Sequence, residues 1–115
     1  MANINWIPLD SREKLAAIKR HSEDTPCVIF KHSTRCSISA LAKNRLDKGW
    51  KLPESDVLPY FLDLIAYRDL SNAIALEYGV RHESPQVLVI REGRCVYEAS
   101  HMGISAEQIE EAVNA

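Results

Sequence analysis

The chain has 115 residues, 46% hydrophobic and 26% charged, and fourteen basic residues against sixteen acidic ones leave a net charge of −2. That is the profile of one ordinary globular domain, and it argues against a disordered or fibrous chain and against a nucleic-acid binder working through a basic surface. No stretch approaches the ~18 consecutive apolar residues of a membrane span, and the opening MANINWIPLDSREK lacks a basic n-region followed by an apolar run. A chain of this length buries roughly two-thirds of its unfolded surface, so it needs neither disulfide staples nor a structural metal. Its three cysteines, Cys27, Cys36 and Cys95, are irregularly spaced and suit a reducing compartment, so a cytoplasmic location is expected.

Asp10 and Glu13 have capping-box spacing, and Leu15, Ile18 and neighbouring alanines form an apolar stripe, which predicts a helix over 11–21. Pro26-Cys27-Val28-Ile29-Phe30 lies between a Ser-Glu-Asp-Thr turn and a Lys-His-Ser-Thr loop and reads as a strand buried on both faces. A helix follows, with Ser33 or Thr34 as cap, Ile38, Leu41, Ala42 and Leu46 on one face, and Gly49 at its end. Trp50 to Asp56 is a loop and Tyr60 to Ile65 a second strand; two strands joined through a helix imply a parallel βαβ unit. Leu70, Ala73, Ile74 and Tyr78 mark another helix, closed by Gly79 with Val80 placed for a Schellman contact. Gln86 to Ile90 and Cys95 to Glu98 flank the hairpin signal Glu92-Gly93, and Ser105 caps a last helix ending at Val113.

The order α-β-α-β-α-β-β-α, in one domain over 1–115, predicts an α/β thioredoxin-like fold: a central four-stranded mixed sheet flanked by helices. Cys36 then opens the helix after the first strand. The unsatisfied N–H groups and positive dipole end of that helix, with Arg35 and His32 near in sequence, are expected to lower its pKa below the free value of about 8.5. A thiolate is the form that attacks disulfides. Cys27 and Cys95 lie within strands and read as buried core residues. Neither has C-x-x-C spacing to Cys36, and His21, His32, His82 and His101 are scattered, so no metal site is expected. Ser39 stands three residues after Cys36, where a dithiol thioredoxin carries its resolving cysteine. A lone thiolate can accept a group from a mixed disulfide but needs a second, external thiol to release it. Ser84-Pro85 precedes the third strand, and in the thioredoxin arrangement this loop faces the nucleophile with its X–Pro bond cis.

Several segments resemble the monothiol bacilliredoxin family, the thioredoxin-like proteins of the bacillithiol system also called the YtxJ family. They are Phe30-Lys31-His32-Ser33-Thr34-Arg35-Cys36-Ser37-Ile38-Ser39, then Arg68 and Leu70 to Ala75, then Gly79-Val80-Arg81-His82-Glu83-Ser84-Pro85-Gln86, and Ala99-Ser100-His101. The family usually reads Thr-Cys-Pro-Ile-Ser around its cysteine, so Arg35 and Ser37 are departures. The resemblance implies a thiol–disulfide oxidoreductase in which Cys36 removes bacillithiol from capped cysteines of cytosolic proteins. Its small-thiol co-substrate would be bacillithiol, with no bound cofactor, and Ser84, Pro85, Arg35, His32 and Ser39 would line the substrate site. Bacillithiol carries two carboxylates, so Lys31, Arg35, Arg81 and His82 are candidate contacts on charge grounds. Three other readings stay open: a glutaredoxin-like protein using glutathione or another small thiol, a redox-sensing adaptor, and an iron–sulfur carrier sharing a cluster between two copies.

Overall fold

The structure, a computed structural model, describes residues 4–115. Its elements run β1 (Ile7–Pro8), α1 (Arg12–His21), β2 (Cys27–His32), α2 (Ser37–Gly49), β3 (Leu58–Asp63), α3 (Arg68–Tyr78), β4 (Gln86–Arg91), β5 (Arg94–Ser100), a 3-10 turn (His101–Gly103) and α4 (Ala106–Asn114). The sheet order is β1-β3-β2-β4-β5, so it has five strands where four are expected. The extra strand is the two-residue β1, which pairs parallel to β3 through Ile7 and Tyr60. Two residues carry no readable periodicity, and Pro8 is admissible only because β1 lies at the sheet edge. With β2 and β3 parallel and β4 and β5 antiparallel to their neighbours, the fold is the expected mixed α/β one.

Local signals mostly act where they stand. Ser11, rather than Asp10, caps α1 by accepting from the Lys14 N–H, while Asp10 pairs with the Lys14 ammonium at 2.9 Å. Gly79 ends α3 in the left-handed region at φ 64°, and the Val80 N–H returns to the Ala75 carbonyl at 3.1 Å, closing the Schellman motif. Glu92 and Gly93 both have positive φ, 53° and 76°, the requirement of a two-residue type I′ hairpin turn. Ser105 caps α4 by accepting from Gln108 N–H.

The sheet separates two apolar layers. Val28 and Phe30 of β2, with Val87 and Val89 of β4, meet Ala42 and Leu46 of α2 and Ile109 and Val113 of α4. Cys27 and Ile29, with Leu62, Leu88 and Ile90, meet Leu15 and Ile18 of α1 and Leu70 and Ile74 of α3. Successive β2 side chains therefore alternate between the layers. Two expectations fail at its end: Lys31 and His32 continue the strand instead of opening a loop, and both are buried.

Candidate functional site

Because β2 and β3 are parallel, the loops leaving their C-terminal ends, 33–36 and 64–67, share one end of the sheet. The first of them is shaped by Ser39. Its fully buried Oγ accepts from the Ser33 N–H at 3.0 Å and lies 2.6 Å from His32 Nδ1, while the His32 ring packs on Phe30 and Phe61. Neither Ser33 nor Thr34 caps α2. The cap is Cys36, which makes no side-chain cap bond, so the positive end of the α2 dipole lies at the sulfur without a capping side chain. Cys36 is partly exposed and Arg35 exposed, with no hydrogen bond or ion pair from Arg35 among the described residues. Ile38 and Leu41, expected on the buried face of α2, are instead 44% and 45% exposed on the helix that carries Cys36.

His32 does not supply the cation expected beside Cys36. Burial first and the Lys43 charge second push its pKa below the ordinary imidazole value, against a smaller opposing pull from Asp63, so the ring is neutral at neutral pH. With Ser39 at 0% exposure and His32 at 7%, both brace the loop from beneath. Lys31 is likewise neither a surface contact nor a solvated side chain, being fully buried.

The Ser84–Pro85 bond is cis, as expected. The β2–β4 register pairs Lys31 with Gln86, which carries Pro85 alongside His32 at the same sheet end as the Cys36 loop. The Pro85 carbonyl accepts from His101 N–H at 3.0 Å. Cys27 is the expected core thiol, fully buried and pushed up to about 12 by that burial. Cys95, also expected in the core, is only partly buried against the same layer because β5 is the sheet edge; burial raises it as well. An apolar hollow of about 250 Å³ between Ile7, Trp50, Val57 and Leu58 lies at the opposite, N-terminal end of β3, away from this chemistry. Among the described residues no group of three His, Cys, Asp or Glu side chains is gathered as a metal would need.

A cysteine at a helix opening, no cysteine three residues on, and a cis-proline at the same sheet end agree with what the sequence resembles. The family model of the monothiol bacilliredoxin BrxC matches residues 7–109. The chain belongs to the monothiol bacilliredoxin family. A solved protein described as an oxidoreductase with a thioredoxin fold is 33% identical over 92% of this chain and 91% of that one, with a TM-score of 0.78. At the level of fold, the chain is similar to a Malassezia sympodialis thioredoxin (18% identity, 99% and 92% coverage, TM-score 0.71). Spinach chloroplast thioredoxin f is similar in the same sense (17%, 93% and 88%, 0.66). The family makes this bacilliredoxin a thiol–disulfide oxidoreductase.

Sequence reasoning missed the residues that hold the loop before Pro85. The buried Gln86 side chain donates to the Arg81 carbonyl at 2.9 Å and to Glu98 at 3.2 Å, and accepts from the Glu83 N–H at 3.4 Å. Ser71, also buried, lies 3.0 Å from His82 Nδ1. A glutamine opening an otherwise apolar strand was the available signal, since a buried amide must find partners.

Proposed function

We propose that this bacilliredoxin, acting as one domain over 1–115, removes bacillithiol from protein mixed disulfides with Cys36 as its nucleophile. The observation that carries the reading is a partly exposed Cys36 at the opening of α2 with the fully buried Ser39 at the third residue after it. The Cys36 thiolate attacks the bacillithiol sulfur of the mixed disulfide. A new Cys36–bacillithiol disulfide forms as the old S–S bond breaks, and the substrate cysteine leaves as a thiolate that takes a proton from water. Ser39 has no sulfur with which to expel the bound group, so an external thiol completes the cycle. Ser84 and Pro85 present backbone to the substrate chain beside the sulfur, and Arg35 faces the carboxylates of the small thiol.

Intact-mass analysis after incubation with a bacillithiolated protein tests the reading. Wild type is expected to accumulate the Cys36–bacillithiol adduct and stop after one turnover until thiol is added, and Cys36→Ser to transfer nothing. Persistent transfer by Cys36→Ser overturns it. A parallel incubation with a glutathionylated protein separates the two small thiols: equal rates would remove the preference for bacillithiol.

A further inference from the structure

Lys31 is 0% exposed near the end of β2, and among the described residues its ammonium has no carboxylate within ion-pair distance. A buried charge without a counter-ion persists only where its hydrogen bonds are good. Its Nζ donates to the Ser71 carbonyl at 3.1 Å and faces His82 Nδ1 at 3.4 Å, and Ser71 Oγ lies 3.0 Å from the same nitrogen. An ammonium has protons only to give, so Nδ1 is the bare acceptor and the ring carries its proton on Nε2. His82 sits three residues before Pro85, in the segment whose other hold is the Gln86 amide on Arg81 and Glu83.

We propose that Lys31 is a positioning residue: with Ser71 it grips neutral His82 by Nδ1, fixes the Arg81–Pro85 segment for the protein half of the mixed disulfide, and loses that grip when His82 is protonated. The inference rests on the role proposed above for Ser84 and Pro85. Protonating His82 removes the lone pair on which the grip converges and sets two cations 3.4 Å apart in a partly buried place. The charges around the ring come from three elements. Lys31 on β2 and Arg68 on α3 disfavour a charged imidazole, Glu83 on the same loop favours it, and burial, the largest influence, disfavours it. Burial also lowers Lys31 to about 8, so near neutrality the amine holds the proton and the ring does not.

The test follows the His82 ring by NMR and measures steady-state kinetics on a bacillithiolated peptide, with external thiol present, between about pH 5 and pH 8. In wild type KM should rise on the acid side as His82 titrates. Lys31→Met should raise KM at neutral pH about five- to tenfold, the worth of one ordinary intramolecular hydrogen bond. It should leave kcat nearly unchanged and move the His82 titration upward. His82→Asn places an amide oxygen where Nδ1 was and cannot titrate. It should recover neutral-pH KM to within about twofold of wild type and abolish the acid rise. A Lys31→Met protein with unaltered His82 titration and KM, or a His82→Asn protein that keeps the acid rise, overturns the inference. Failure of wild type to form the Cys36 adduct at any pH instead overturns the function on which it rests.

Discussion

Lys31 and His32 are adjacent, yet the pleat of β2 sends them to opposite faces of the sheet, and each ends in a polar cluster beneath one of the two loops of the site. His32 meets Ser39 seven residues on, within one strand–loop–helix unit, and braces the loop of Cys36. Lys31 meets Ser71 and His82, 40 and 51 residues away, and braces the loop before Pro85. The first cluster is made of neutral groups, the second around a buried cation. The hydrogen bonds beneath the loop of Cys36 are thus local to β2 and α2, whereas the hold on the Arg81–Pro85 loop exists only once α3 and β4 have docked.

Serine truncations sharpen this contrast most. Ser39→Ala strands both the Ser33 N–H and the His32 ring, at about 1–3 kcal/mol for each buried group left unpaired. Ser71→Ala takes only the hydroxyl from a ring nitrogen that still faces Lys31, and should cost about 1 kcal/mol. Calorimetry compares them at about 4 °C of Tm per kcal/mol, and equal losses would break the distinction.

A second separation comes from alkaline titration. Lys31 is lowered from 10.5 to about 8, so between those values the unfolded chain binds more protons and stability rises with pH, by up to about 1.4 kcal/mol per pH unit. Cys27 has the opposite sign: it is pushed from 9.0 up to about 12, so the unfolded chain loses its proton first and stability falls above pH 9. Urea denaturation of wild type should show a rise from pH 8 to 9 that then flattens or reverses. Lys31→Met should erase the rise, and Cys27→Ala should extend it toward pH 10; a rise that survives Lys31→Met means the amine is not the source.

On the acid side the two histidines share a sign and differ in size. Both are lowered from 6.5, so the unfolded chain takes up protons first and stability falls as pH drops below that value. His32 is the more deeply buried, and His32→Gln should remove more of the acid loss than His82→Asn, read as the slope of urea midpoints between about pH 6.5 and 4.5. The smallest effect belongs to the surface. Arg35→Ala should leave stability within about 0.5 kcal/mol and slow adduct formation with bacillithiolated protein about two- to threefold at low salt, the difference vanishing at high salt.

Much of the fold is legible because its signals are short-range. The apolar stripes of α1 and α3, the Gly79 stop, the Glu92-Gly93 turn and the Ser105 cap each act within a few residues, and the structure uses them where they stand. The expected Asp10 cap falls one residue on, at Ser11, whose extended backbone and hydroxyl meet the Lys14 N–H, while Asp10 pairs with the Lys14 ammonium. Ile38 and Leu41 broke the expected stripe of α2: that helix buries Ser39, Ala42 and Leu46 and turns the two larger side chains outward.

What the sequence by itself determined is the chemistry that local spacing can carry: one cysteine at the opening of a helix, a serine in the third place after it, and a proline entering β4. The tertiary structure alone decided the burial of Lys31, the neutrality of His32, the edge strand at Ile7 and the latch made by Gln86. The physical reason is that a side chain's access to water, and with it its charge and its partners, depends on what packs over it. For Lys31 that means His82, 51 positions away, and no periodicity in the strand itself records its arrival.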